Sequence, residues 1–161
     1  MEKHTPNSKP RWAFEDFKVG SEIALGPREV TAGEIIEFAR QFDPQPMHLS
    51  EEAGRQSILG GLSASGFHTA SMMMRMICDA YLLDSTSQGA PGVDYMNWRK
   101  PVLAGDTLTG AARFLDKRRS KSRPDIGLVT VQLELRNQHG QIVCEMHSSG
   151  MFALRNPEQG E

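Results

Sequence analysis

Apolar residues recur along this chain with two different periods, and the change of period divides it. From Thr31 to Phe42 the spacing is helical, with Ile35, Ile36, Phe38, Ala39 and Phe42 on one apolar face. Thr31 followed by Glu34 forms a capping box that starts this helix. Ahead of it, "EIALGPREV" (Glu22 to Val30) predicts a strand interrupted at Gly26-Pro27. Behind it, "DPQPMH" (Asp43 to His48) stops the helix, because proline fixes φ and biases the residue before it away from helical geometry. This P-x-P segment is expected to be extended and stiff. Ser50, with Glu51 and Glu52 after it, predicts a short helix to Gln56.

The stretch "GGLSASG" (Gly60 to Gly66) is small and flexible, and it opens into "FHTASMMMRMICDAYLLD", which is apolar almost all round. Its polar exceptions, His68, Ser71, Arg75 and Asp79, recur at intervals of three and four and share one stripe. Such a helix must be wrapped by other structure. From Gly92 onward the period becomes two. "VDYMNW" predicts a short strand, and "KPVLAGDTLTGAARFL" predicts a turn leading into a longer one. "LVTVQLELR" alternates strictly, with Val129, Val131, Leu133 and Leu135 on one side and Thr130, Gln132, Glu134 and Arg136 on the other. "NQHG" (Asn137 to Gly140) turns the chain into the last strand, "QIVCEMHSSGMFALR". The class is therefore α+β, with a curved antiparallel β-sheet wrapped around one long central α-helix.

Length allows one domain: 161 residues bury roughly two thirds of the surface that the unfolded chain exposes. We expect a tail over residues 1–12, a single domain over 13–155 and a tail over 156–161. A net charge of −2 supplies no basic field for nucleic acid or an anionic membrane surface. "MEKHTPNSKPRW" contains no apolar leader core, and no later run reaches the ~18 apolar residues of a spanning helix, so a cytoplasmic protein is expected. Cys78 and Cys144 each sit in an apolar element and read as buried thiols. The nine methionines read as core filler or as the lining of an adaptable apolar pocket.

The order of elements, with "DPQPMH", "ASGFHTAS" (Ala64 to Ser71) and "WRKPVLAGDTL" (Trp98 to Leu108), resembles the MaoC-like dehydratases, hot-dog-fold proteins that include the (R)-specific enoyl-CoA hydratases. The resemblance runs from about Phe14 to Leu154. It implies a hot-dog fold, reversible hydration of a trans-2-enoyl-CoA thioester, no cofactor or metal, and a homodimer or an assembly of dimers. Asp43 and His48 carry over as the catalytic dyad, and Ser71 as a serine lining the substrate pocket. Three positions depart from the family pattern: Gln45 replaces a common Asn, Ser50 a common Asp and Phe67 a common Trp. Gln45 still donates and accepts hydrogen bonds and so keeps a supporting role open.

The residue types suit this chemistry. Hydration needs a base for the attacking water and an acid for Cα, and an imidazole beside a carboxylate supplies both. Backbone N–H groups at Gly66 and Phe67, at the start of a helix, can hold a thioester oxygen as charge builds on it, and glycine there allows close approach. Each assignment has a plainer counterpart. Asp43 is also a helix-end residue, His48 a loop histidine, Gly66 an entry into a buried helix, Ser71 a packing residue and His68 a structural or pocket-wall residue. The charge run Asp116–Arg123 reads as a solvated hairpin end, with Arg118, Arg119, Lys121 and Arg123 as candidates for CoA phosphates. An acyl-CoA thioesterase and a non-catalytic acyl-thioester binder stay open as alternatives.

Overall fold

The computed structural model describes residues 9–158. Of the two expected tails, residues 1–8 and 159–161 lie outside the described residues. Chain order is β1 (Glu22–Glu29), α1 (Ala32–Phe42), α2 (Glu51–Gln56), α3 (Gly66–Ala80), β2 (Val93–Trp98), β3 (Thr107–Arg119), β4 (Ile126–Arg136) and β5 (Ile142–Ala153). The five strands form one antiparallel sheet in the order β1-β3-β4-β5-β2. Register shifts between Leu25 and Arg28 in β1 and between Phe114 and Asp116 in β3 bend the strands, and bulges of this kind add twist and curvature.

The alternation read in β4 is the one observed: Val129, Val131, Leu133 and Leu135 are buried, and the residues between them are half-exposed. They share a single core with Met72, Met73, Met76 and Ile77 of α3. Phe17 anchors one end of it, with rings of Phe114 and Phe152 at 5.0 and 4.4 Å. The core reaches further toward the N-terminus than expected. Trp12 packs 5.5 Å from Phe17, and its backbone bonds Asp84 and Thr86, so it belongs to the folded unit and not to a tail. At the other end Arg155 ties back to Asp16 and to the Pro10 carbonyl, and the Arg155 N–H donates to Glu15.

Three expectations need correction. Phe42 is 70% exposed and leaves the apolar face of α1, because the helix ends there and Asp43 turns the chain away. Cys78 is half-buried, whereas Cys144 is fully buried and its thiol is pushed up to about 11 by that burial. His68 does not share the exposed stripe of Ser71, Arg75 and Asp79. It is buried, stacked on Phe38 at 4.8 Å, with Nε2 3.5 Å from Glu34 Oε1. Glu34 also takes Arg28 Nη2 at 2.9 Å and caps α1 through Thr31, so this carboxylate fastens β1, α1 and α3 together.

That environment has a consequence for stability. Burial, first, and then nearby Arg28 hold the His68 imidazole below its ordinary range, against the pull of Glu34. The folded state therefore binds a proton less readily than the unfolded state, and stability falls as pH drops below about 6.5, the ordinary imidazole range. Melting temperatures between pH 7.5 and 5 are expected to decline in the wild type and to decline less in His68→Gln. Equal slopes in the two proteins would contradict this. The carboxyls held below their usual range, Glu34 among them, act in a separate window, below their ordinary value near 4.5.

Candidate active site

Asp43 closes α1 and His48 closes a short 3-10 turn, Pro46–His48. The segment was expected to be extended throughout. It is extended at Gln45, the residue before Pro46, and then coils for one turn, which swings His48 back toward Asp43. His48 Nε2 comes to 3.5 Å from Asp43 Oδ2. The other ring nitrogen, Nδ1, lies 2.7 Å from the carbonyl oxygen of Ser63. A carbonyl only accepts, so Nδ1 carries hydrogen, and the nitrogen that exchanges protons is the one facing Asp43.

The carboxylate is held on both sides. Gln45 Nε2 donates to Oδ1 at 2.7 Å. The Ser65 hydroxyl first, and then the Gln45 amide, hold the Asp43 carboxyl below its usual range, with His48 adding attraction and partial burial opposing. Asp43 is therefore ionised at neutral pH. Ser65 Oγ lies beside the carboxylate without reaching hydrogen-bonding geometry: it is buried and has no bonded partner. A cleft of about 270 Å³ opens against His48, with Ser63, Gly66, Thr69, Trp98, Arg99 and Lys100 among its walls.

A family model described as MaoC like domain matches residues 16–136. The chain belongs to the MaoC-like domain family. The domain is similar to the crystal structure of a MaoC-like dehydratase from Rhodospirillum rubrum, 37% identical with a TM-score of 0.77 over 89% of this chain and 97% of that one. It is 30% identical over 126 residues to the uncharacterized protein YdeM of Bacillus subtilis, spanning 78% of this chain and 87% of YdeM. It is also 30% identical over 100 residues to the 3-hydroxybutyryl-CoA dehydratase of Methylorubrum extorquens, spanning 59% of each. The sheet wrapped around α3 is the hot-dog fold that the resemblance implied.

Within this MaoC-like domain the other expected residues are placed unevenly. Gly66 lines the cleft, and the Trp98 indole lies against it: a Cβ at Gly66 would come within 2.6 Å of Trp98 Cε2. Trp98 Nε1–H also donates to the Gly66 carbonyl at 2.8 Å. The close approach that this glycine permits is thus to an indole. Phe67 is 68% exposed and meets Trp98 edge-on at 5.6 Å. Ser71 is exposed, and its hydroxyl donates to the Phe67 carbonyl at 2.8 Å. Met72, Met73 and Met76 are core, while Met74 and Met146 line a separate apolar cavity of about 150 Å³.

Along β3 the basic run lies far from this chain's own Asp43 and His48. Arg118 and Arg119 finish β3, some 12 residues from its start beside Asp106, on the order of 40 Å of strand. Leu103, three residues before Asp106, pairs with Ser63 next to His48. Arg119 donates to the Pro124 and Pro157 carbonyls, and Arg123 pairs with Asp125. The cations that line the cleft are Arg99 and Lys100, which sequence reasoning passed over although they stand inside "WRKPV". Ser63 and Ser65 were passed over as well, hidden in the small-residue stretch before α3.

Proposed function

We propose that this MaoC-like domain catalyses the reversible hydration of a trans-2-enoyl-CoA, equivalently the dehydration of a 3-hydroxyacyl-CoA, with Asp43 and His48 sharing one water. The observation that carries this reading is the fixed tautomer: Nδ1–H is committed to Ser63, and Nε2 faces an ionised carboxylate at 3.5 Å. Two such groups repel unless a proton, or the O–H groups of one water, lie between them. A water held there keeps an oxygen lone pair free to attack Cβ. As that O–C bond forms, one water proton passes to the dyad and the C=C π pair moves toward Cα and the thioester oxygen. A proton from the dyad then joins Cα, the carbonyl re-forms, and the dyad is unchanged over the turnover.

Charge on the thioester oxygen needs donors. The first backbone N–H groups of α3, at Gly66 and Phe67, have no side-chain cap and carry the positive end of the helix dipole. Arg99 and Lys100, at the mouth of the same cleft, suit the phosphates of CoA, to which cations give charge-assisted hydrogen bonds. A panel of trans-2-enoyl-CoA esters, followed by loss of the conjugated-thioester absorbance, tests the reading. Turnover of at least one ester is expected. Hydrolysis of saturated acyl-CoA without hydration would replace this reading with a thioesterase, and tight binding with neither reaction would replace it with a non-catalytic binder.

The same reading includes a homodimer. β2 is an edge strand with an unpaired outer side, and it exposes Val93, Tyr95 and Trp98 at 50%, 44% and 46%. Phe67 extends this apolar strip through its contact with Trp98. Long exposed edges invite pairing, and a second copy covers such an edge by symmetric strand addition. Sedimentation at micromolar concentration is expected to give a dimer or a multiple of it. A stable monomer would contradict this.

A further inference from the structure

We propose that Ser65 is a third member of the Asp43–His48 unit, a positioning residue whose hydroxyl turns onto the Asp43 carboxylate and holds it as an acceptor. The proposal rests on the hydratase reading above for its catalytic part. Its structural part stands on four features of this chain.

Ser65 is 0% exposed and its Oγ has no hydrogen-bond partner. An unsatisfied buried hydroxyl is destabilising, and native structures leave few of them without a reason. Ser65 is also the N-cap of α3, where a serine ordinarily turns its oxygen back to the N–H two or three residues on, yet here it makes no such bond. The position thus gives up its ordinary structural role.

The hydroxyl sits next to the dyad instead. It lies beside Asp43 and is the first of the neighbours that favour that group's ionised form. Ser63, two residues earlier, supplies the carbonyl that fixes His48 Nδ1, so one short segment supports both members of the dyad. Gln45 already occupies Oδ1, and His48 Nε2 faces Oδ2. A small rotation of the Ser65 side chain and its O–H completes the set of donors around the carboxylate. No other charged or polar side chain is needed to explain the orphan hydroxyl.

A packing role and a positioning role separate in two variants. Ser65→Ala removes only the oxygen, and Ser65→Cys keeps the volume while weakening the donor. The decisive measurement is the titration of the Asp43 carboxyl by carbon NMR without substrate, in wild type and in both variants. We expect its midpoint to rise by about one pH unit or more in Ser65→Ala, as for loss of a hydrogen bond to a charged group, and by less in Ser65→Cys. The acid limb of kcat/KM on an accepted enoyl-CoA should move upward by the same amount. Melting temperature at neutral pH should fall, and fall less at a pH below the Asp43 midpoint, because the lost bond favours only the ionised carboxyl. An unmoved midpoint, or a clear drop in melting temperature with an unmoved acid limb, would overturn the proposal and leave Ser65 as packing. Failure of the hydratase reading is told apart by the dyad itself: if Asp43→Asn and His48→Asn turn over normally that reading falls, while the substrate-free titration still judges Ser65.

Discussion

His48→Asn is expected to lower kcat on an accepted enoyl-CoA by about 100- to 10,000-fold, the usual cost of removing a general acid–base group. Asp43→Asn should fall in the same range, because it keeps the shape and the Gln45 contact but removes the charge that faces Nε2. The two side chains are 3.5 Å apart and are proposed to act on one water, so the double variant should be little worse than the poorer single one. A histidine that merely fills a buried loop predicts the opposite signature. It would lose stability when its bond to Ser63 is removed, by about 1–3 kcal/mol for the orphaned carbonyl, and leave turnover unchanged. Circular dichroism and kcat on the same samples separate the two. Near wild-type kcat in a folded His48→Asn protein would sink the dyad and the site assignment with it.

The elements of the fold were legible because local rules wrote them. The capping box at Thr31 and Glu34 forms as expected, Ser50 caps α2 through the Ala53 N–H, and the two-residue period of β4 matches its burial. Strand order was not legible, since β1 pairs with β3 and β2 with β5, and no periodicity records a partner 46 to 91 residues away. Misplaced side chains share that cause. Spacing put His68 on a polar stripe, and its burial follows from Glu34 and Phe38 on another helix. Asp43 and His48 were visible as a spacing within one segment. Their supports were not, because Ser63 and Ser65 reach the dyad from 15 or more residues away and look like flexible linker in the sequence. The basic run stands at a hairpin end, as its plain reading had it, but which end of the sheet that tip occupies depends on strand direction, which consecutive cations do not record.

Gly54→Ala is expected to destabilise the protein and to slow it as well, although alanine is the better helix former by roughly 0.5–1 kcal/mol. Gly54 is buried in α2 against the backbone of the segment that leads to Ser63. A Cβ there would overlap the Gly61 carbonyl group and stand 2.5 Å from the Leu62 nitrogen. These are backbone atoms, so no side-chain rotation relieves the clash. The segment itself must move, and it is pinned on three sides: Leu62 N–H donates to Glu51, the Leu62 carbonyl accepts from Ala104, and Ala64 N–H donates to Val102. Overpacking of this kind costs about 1–3 kcal/mol, which outweighs the gain in propensity and lowers the melting temperature by roughly 2–12 °C in a domain of this size. Shifting the Ser63 carbonyl loosens the hold on His48 Nδ1, so kcat should fall with stability, by up to about 100-fold for a displacement of about 1 Å. Gly33→Ala is the control, since Gly33 is exposed in α1 with nothing within 4 Å of a new Cβ, and it should be neutral or slightly stabilising. Equal melting temperatures for the two variants would show that α2 and the Gly61 segment separate freely, and that Ser63 is not held in place by this contact.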